Sequence, residues 1–336
     1  MRSILAVLAG VLSVACAPSA QSAQQALGTG TLVVLNKGAN TAALVDLATA
    51  EVYATLPTGV GPHEAAVSPD GRTAVVADYG NQAPGKTLTV LDLAARRVAK
   101  TIDLGEHRRP HGIAWLPDGR RVAVTSETSG AVLRVDVASG RVEAAVPTRE
   151  KGSHMLALSP DGKRVYTSNI ESGSLSAMDL ESGAHLGTVP TGAGAEGIDV
   201  TPDGAQVWVT NREANDVSVV DARTLRPVAT VPSAAFPIRV KVTPDGTRAL
   251  VTNAMSGELR VFDVATRREV AMIPLAEGGA NPVPVGVLVS PDGAMAYVAM
   301  MEGNEVAAVD LRAGRIVGRI RPGEGPDGMA WSPLAK

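Results

Sequence analysis

Short apolar runs of five or six residues, broken by turn-forming residues, fill this chain from residue 31 almost to its end. Around Pro160 the pattern is easiest to follow. His154-Met-Leu-Ala-Leu158, Arg164-Val-Tyr-Thr-Ser168, Leu175-Ser-Ala-Met178 and His185-Leu-Gly-Thr-Val189 are four consecutive runs. Each is too short for a helix that buries a face, and each is bounded by turn chemistry, so they read as consecutive antiparallel strands, A to D. Ser159-Pro-Asp-Gly162 closes the A–B hairpin: proline presets φ for a type I turn and glycine takes the left-handed position after it. Asp136-Val-Ala-Ser-Gly140 and Asp179-Leu-Glu-Ser-Gly183 form C–D turns by similar chemistry.

The whole phrase recurs. Its prolines are Pro69, Pro117, Pro160, Pro202, Pro244, Pro291 and Pro333, separated by 48, 43, 42, 42, 47 and 42 residues. A period in the forties built of four short strands is the signature of a β-propeller blade. Seven aspartates at C-strand ends (Asp46, Asp92, Asp136, Asp179, Asp221, Asp263 and Asp310) give the blade count as seven. Thr31–Asn36, Thr41–Leu47 and Glu51–Leu56 read as strands B, C and D with no A strand before them, while Gly328–Pro333 is an A strand with nothing after it. The expected fold is therefore all-β: a seven-bladed β-propeller of four antiparallel strands per blade. Pairing of the C-terminal A strand with the N-terminal B–D strands closes the ring and removes exposed edges.

Val207-Trp-Val-Thr-Asn211 with Val217-Ser-Val-Val-Asp221, and Leu250-Val-Thr-Asn253, resemble the YVTN-type propeller repeat of the YncE-like family of exported proteins. The resemblance runs from residue 31 to 333. It implies the fold and an extracytoplasmic setting, and no particular activity, because propellers host many.

Two segments divide the chain: an export signal over residues 1–26 and the propeller over 29–336. Met1-Arg2 followed by the apolar Ser3–Ala15 has the charge and length of a signal peptide and is too short to span a membrane. Leu12-Ser-Val-Ala-Cys16 approximates a lipobox, which would end the signal at Ala15 and lipidate Cys16; ordinary cleavage near Ala20, Ala23 or Ala26 is the competing reading. Either way the expected location is periplasmic, soluble or lipid-anchored. Cys16 is the one cysteine of the chain, so no disulfide staples the propeller. A net charge of −3 with scattered Lys and Arg, and nine aromatic residues in 336, argue against nucleic acid as a partner. A monomer is expected.

Composition narrows function little, but one aligned column does more. Six residues before each proline stand His63, His111, His154, Glu196, Ile238, Val285 and Asp327, which begin strand A at the mouth of the central channel. The next column carries Glu64, Met155 and Arg239 among Gly112, Gly197, Gly286 and Gly328, as suits a place where backbones crowd. The B–C loops of the same face bring Lys37, Tyr79, Glu127, Glu171, Arg212, Met255, Met301 and Glu302, and the longer loop Gly80–Lys86 is expected to form a lip over the channel. His63, Glu64, His111, His154, Glu196, Arg239 and Asp327 are thus the candidate ligand-binding residues.

Three imidazoles beside carboxylates suit zinc or copper, with His63, His111 and His154 as ligands; a solvated channel mouth is the plainer reading of the same residues. Binding of a protein partner or small ligand, without catalysis, is the favoured function. Two alternatives use the same site. One is a metal-dependent, lactonase-like hydrolase with Glu196 or Asp327 moving protons and Arg239 holding the substrate. The other is a copper- or zinc-handling protein with Met155 as a soft ligand. His107 and Arg108-Arg109 are expected to be solvated loop residues, His185 an exposed residue of the opposite face, and Trp115, Trp208 and Trp331 inter-blade packing. C-x-x-C-H, G-x-S-x-G and H-E-x-x-H are all absent.

Overall fold

The computed structural model describes residues 26–276 and 278–336; the expected export signal over 1–26, apart from Ala26, and Cys16 lie outside the described residues. Its strands form seven four-stranded antiparallel sheets. Blade 1 is the split one: Pro326–Ser332 pairs with Thr31–Asn36, followed by Thr41–Asp46 and Glu51–Pro57. Blades 2 to 7 begin with the A strands Pro62–Val67, Pro110–Trp115, Ser153–Leu158, Ala195–Val200, Pro237–Val242 and Pro284–Val289. No helix among the described residues is long and apolar enough to cross a membrane.

The core is a ring rather than a centre. Seven hydrophobic clusters lie one at each junction between neighbouring blades. Successive side chains of one strand serve opposite junctions: Val122 and Val124 pack toward blade 2, while Ala123 packs toward blade 4. Both sheet faces are covered, so the strands read as unbroken apolar runs instead of alternating ones. Trp208 is fully buried and lies 6.3 Å from Phe262 between blades 5 and 6. Trp115 donates to the Ala66 carbonyl of the preceding blade, and Trp331 to the Thr29 carbonyl.

The turns follow the chemistry of the repeat. Gly71, Gly162 and Gly204 occupy left-handed backbone at φ 75°, 68° and 70°. Asp136 and Asp179 accept from the backbone N–H and hydroxyl of Ser139 and Ser182, closing their C–D turns. Gly80–Lys86 is not a loop, however. Strands Thr73–Gly80 and Pro84–Asp92 stay paired out to Gly80 and Pro84, so the extra residues lengthen a hairpin and leave a turn at 81–83. Tyr79 of this hairpin packs beside His63 and His111, and the N–H of Arg109 from the next blade donates to the Gly85 carbonyl at 2.8 Å.

A hydroxyl in strand B stitches blades together at the channel. Thr210 Oγ1 accepts from Gly197 N–H (2.8 Å) in its own blade and donates to the Ile238 carbonyl (2.9 Å) of the next. Thr125 links Gly112 to His154, Ser168 links Met155 to Glu196, and Thr252 links Arg239 to Val285 in the same way. These are the Thr of Val-Thr-Asn and its equivalents. Thr210→Val keeps the shape and leaves a buried N–H and a buried carbonyl unpaired, so it should destabilise by about 1–3 kcal/mol. Chemical denaturation measures this, and a loss well below that range would show that the stitch contributes nothing.

Candidate channel-mouth site

Each A strand carries a register irregularity at its start, between Ala195 and Ile198 in blade 5 for example. The equivalent shift occurs in blades 2, 3, 4, 6 and 7, and in blade 1 between Pro326 and Met329, which pair with Asn36 and Val34. Such bulges re-aim side chains, here at the two columns singled out from the repeat. The glycines of the second column lie where the next blade comes closest. A Cβ on Gly328 would sit 2.0 Å from the His63 carbonyl oxygen, and one on Gly197 2.4 Å from that of Ile238.

All seven candidate residues come to one end of the channel, and most are engaged with one another. Arg239 of blade 6 reaches across the bore to blade 2, where Glu64 Oε1 accepts from its Nε (3.0 Å) and Nη2 (2.8 Å). Its Nη1 donates to Glu196 Oε1 of blade 5 at 3.0 Å. That same oxygen accepts from His154 Nε2 of blade 4 (2.9 Å), and Glu196 Oε2 accepts from Arg212 Nη1 (2.8 Å). His154 Nδ1 donates to Glu127 of blade 3, whose other oxygen accepts from the Tyr79 hydroxyl of blade 2 at 2.6 Å. The circuit therefore starts and ends on blade 2. Four acids (Glu64, Glu127, Glu196, Asp327) face four bases (Lys37, His154, Arg212, Arg239); Lys37 and Asp327 are 3.8 Å apart.

The three histidines are chemically different. His154 is held between two carboxylates, which only accept, so both ring nitrogens carry protons. Burial opposes that charge, but Glu196 and Glu127 outweigh it and raise the pKa to about 9. His63 donates from Nδ1 to the Gly61 carbonyl (2.8 Å), leaving Nε2 with a lone pair; burial lowers its pKa to about 4 against the pull of Asp327. His111 is 1% exposed and held neutral by burial and by the cationic His154, and its Nδ1 has no partner among the described residues. His111 stacks on His154 with ring centres 3.8 Å apart, and Tyr79 lies 4.4 Å from His63. Burial works against the Glu196 charge, yet His154, Arg239 and Arg212 hold it well below the usual carboxylate range. Glu64 is raised by burial despite Arg239.

This arrangement does not assemble the expected three-histidine metal set. His154 has no lone pair to offer, and among the described residues no group of three His, Cys, Asp or Glu is disposed to hold a metal ion. Met155 lines the bore below the mouth.

Tyr79, Glu127 and Arg212 prove as integral as the seven candidates. The signal for them was a third column: the residue following Asn36, Asp78, Ser126, Asn169, Asn211, Asn253 and Met300 of strand B is Lys37, Tyr79, Glu127, Ile170, Arg212, Ala254 and Met301 in blades 1 to 7, strand B of blade 2 running on through Tyr79 to Gly80. Of the residues given lesser weight, His107 is half-buried on Ser129 at 2.8 Å, and His185 bonds Thr188 at 3.1 Å. Arg109 lies 4.7 Å over the Tyr79 ring and donates to the Asn81 carbonyl, so it belongs to the lip.

The propeller repeat has a counterpart among known families: the YNCE-like beta-propeller model matches residues 11–121 and 187–290. The chain belongs to that family. Among solved structures, this YNCE-like propeller is similar to the hydrazine synthase of Kuenenia stuttgartiensis (21% identity, TM-score 0.72, covering 82% of this chain and 91% of that one). A functionally unknown protein from Desulfotomaculum acetoxidans is similar at 14% identity and TM-score 0.77, covering 90% of this chain and 99% of that one. At these identities the likeness is one of fold. None of the curated proteins matches this chain.

Proposed function

We propose that this is an exported, non-enzymatic propeller that binds a small ligand or a protein partner at the His-bearing channel mouth. The observation that carries the reading is the unequal state of the mouth. On blades 4 to 6 the charged groups are engaged with one another. On blades 1 to 3, His63 Nε2 and His111 Nδ1 have no partner among the described residues, and Asp327 has only Lys37 at 3.8 Å. Such a half-site offers acceptors next to aromatic rings under a lip formed by Tyr79 and Arg109. Surface loops held by a rigid scaffold are the usual place for recognition. Export rests on the Met1–Ala15 segment and on the family, with Cys16 as the lipid-anchor alternative.

Hydrolysis is the weaker reading. Glu196 is held by three cations and is a poor base, and His154, with both ring nitrogens on carboxylates, has no lone pair for a metal. Metal handling loses its ligand set for the same reason.

Native mass spectrometry of the mature protein purified from its own host, without chelator or affinity histidines, tests the proposal. A bound species in the wild type, missing from a His63→Ala/Asp327→Asn variant of unchanged thermal stability, is the expected result. A species retained equally by both, or a stoichiometric metal lost on His154→Ala, would overturn it.

A further inference from the structure

Beneath the mouth, the central bore holds a cavity of about 500 Å³. It starts at the level of Glu64, Met155, Arg239, Gly286 and Gly328 and runs to the A–B turn end at Val67, Leu158 and Pro291. None of His63, His111, His154, Glu196 or Asp327 lines it. The Glu64–Arg239 pair, which crosses the channel, therefore separates the mouth residues from this cavity and forms its roof.

That roof is incompletely engaged. A guanidinium has five N–H groups. Arg239 uses three, one each from Nε, Nη1 and Nη2, and is itself 7% exposed. Both hydrogen bonds to Glu64 fall on Oε1; Oε2 has no partner among the described residues. A donor pair and an acceptor thus stand side by side at the end of a tube walled by Ile113, Ile198, Val240, Val287 and Met329, with the Lys241–Asp199 ion pair (3.2 Å) on one side of it. The tube falls within the size range of small-molecule sites, roughly 300–1,000 Å³, and combines aliphatic wall positions with two ion pairs, Glu64–Arg239 at the roof and Asp199–Lys241 on the wall.

We infer that the bore is a second binding chamber, for a small molecule with a primary amide head on a compact apolar body. The amide N–H₂ donates to Glu64 Oε2 and its carbonyl accepts from Arg239, so each roof group gains a partner without breaking the ion pair. A simple carboxylate would satisfy Arg239 alone and meet Glu64 with like charge. A ketone of the same shape would leave Glu64 Oε2 unpaired, and leaving a buried polar group unmatched is what makes such sites selective.

Trp331 lines the chamber and reports occupancy by its fluorescence. Titration of the mature protein with cyclohexanecarboxamide should give a saturable change. Cyclohexyl methyl ketone and cyclohexanecarboxylate should bind at least about tenfold more weakly, a difference of about 1.4 kcal/mol. Replacing the roof by Glu64→Leu/Arg239→Met should abolish the response, while His63→Ala, which alters only the mouth, should leave it unchanged. Equal binding of amide and ketone by the wild type, or no saturation up to the solubility limit, would overturn the inference. So would loss of the response in His63→Ala alone. Because mouth and bore are read by different variants, failure here leaves the mouth proposal standing, and the reverse also holds.

Discussion

Arg239→Ala should destabilise the propeller by about 3–5 kcal/mol, the usual consequence of removing one partner from a buried ion pair. The side chain contributes three hydrogen bonds between blades 2, 5 and 6, and two carboxylates depend on it. Without it, Glu64 would lose both of its hydrogen bonds at the centre of the ring. Glu196 would keep His154 and Arg212, so Glu64 sets the larger part of the cost. The double variant Glu64→Leu/Arg239→Met removes both charges together, and should recover most of the loss or exceed the wild type. Denaturant unfolding of the three proteins decides it. An alanine variant within about 1 kcal/mol of wild type would mean that the bore-crossing pair is not a feature of the folded protein.

The second large effect is a dependence on alkaline pH that comes from His154. Its pKa in the folded protein is about 9 against an ordinary 6.5, so the folded state holds this proton more tightly than the unfolded chain. The resulting stabilisation is fully present below pH 6.5 and disappears as pH rises through about 9. At 1.36 kcal/mol for each unit of pKa difference it is on the order of 3 kcal/mol. Melting temperatures measured from pH 6 to 10 should fall across that window in the wild type and stay nearly level in His154→Gln. A wild-type curve that is flat from pH 6.5 to 9 would mean that His154 is neutral. The acid side runs the other way. His63 is lowered to about 4, so the unfolded chain takes up its proton first and stability declines as pH falls from 6.5 toward 4. A stability maximum near neutrality follows from the pair.

The repeat made the architecture legible because local chemistry and global fold agree at every blade. Ser-Pro-Asp-Gly specifies a hairpin wherever it occurs, and a missing A strand at one end with a surplus at the other admits one closure. The column from His63 to Asp327 was legible for the same reason: equivalent positions in a closed ring must face one axis. What lies within the column was not. Whether His154 is a ligand or a cation depends on Glu127, which stands on another blade at a different repeat position. The bridge from Arg239 to Glu64 spans 175 residues and opposite sides of the ring, and a linear sequence gives no measure of that distance. Imidazole count alone suggested a metal, whereas the hydrogen-bond partner of each nitrogen decides the matter. The Gly80–Lys86 extension shows the limit at the level of turns. Its length was visible, but strand pairing continued through residues, including a proline and two glycines, that usually mark its end.

The crowded column also shows what an odd number of blades imposes. Around the ring it reads glycine at 328, Glu64, Gly112, Met155, Gly197, Arg239 and Gly286, small and large in turn. Strict alternation cannot close on seven members, so two like neighbours must meet somewhere, as in any odd cycle with two states. They meet at Gly286 and Gly328, across the junction of blades 7 and 1, beside the split blade that fastens the ring. An eight-bladed descendant would remove this parity defect only if the added blade brought a large residue between Gly286 and Gly328; a six-bladed one could remove it only by losing one of the two glycines.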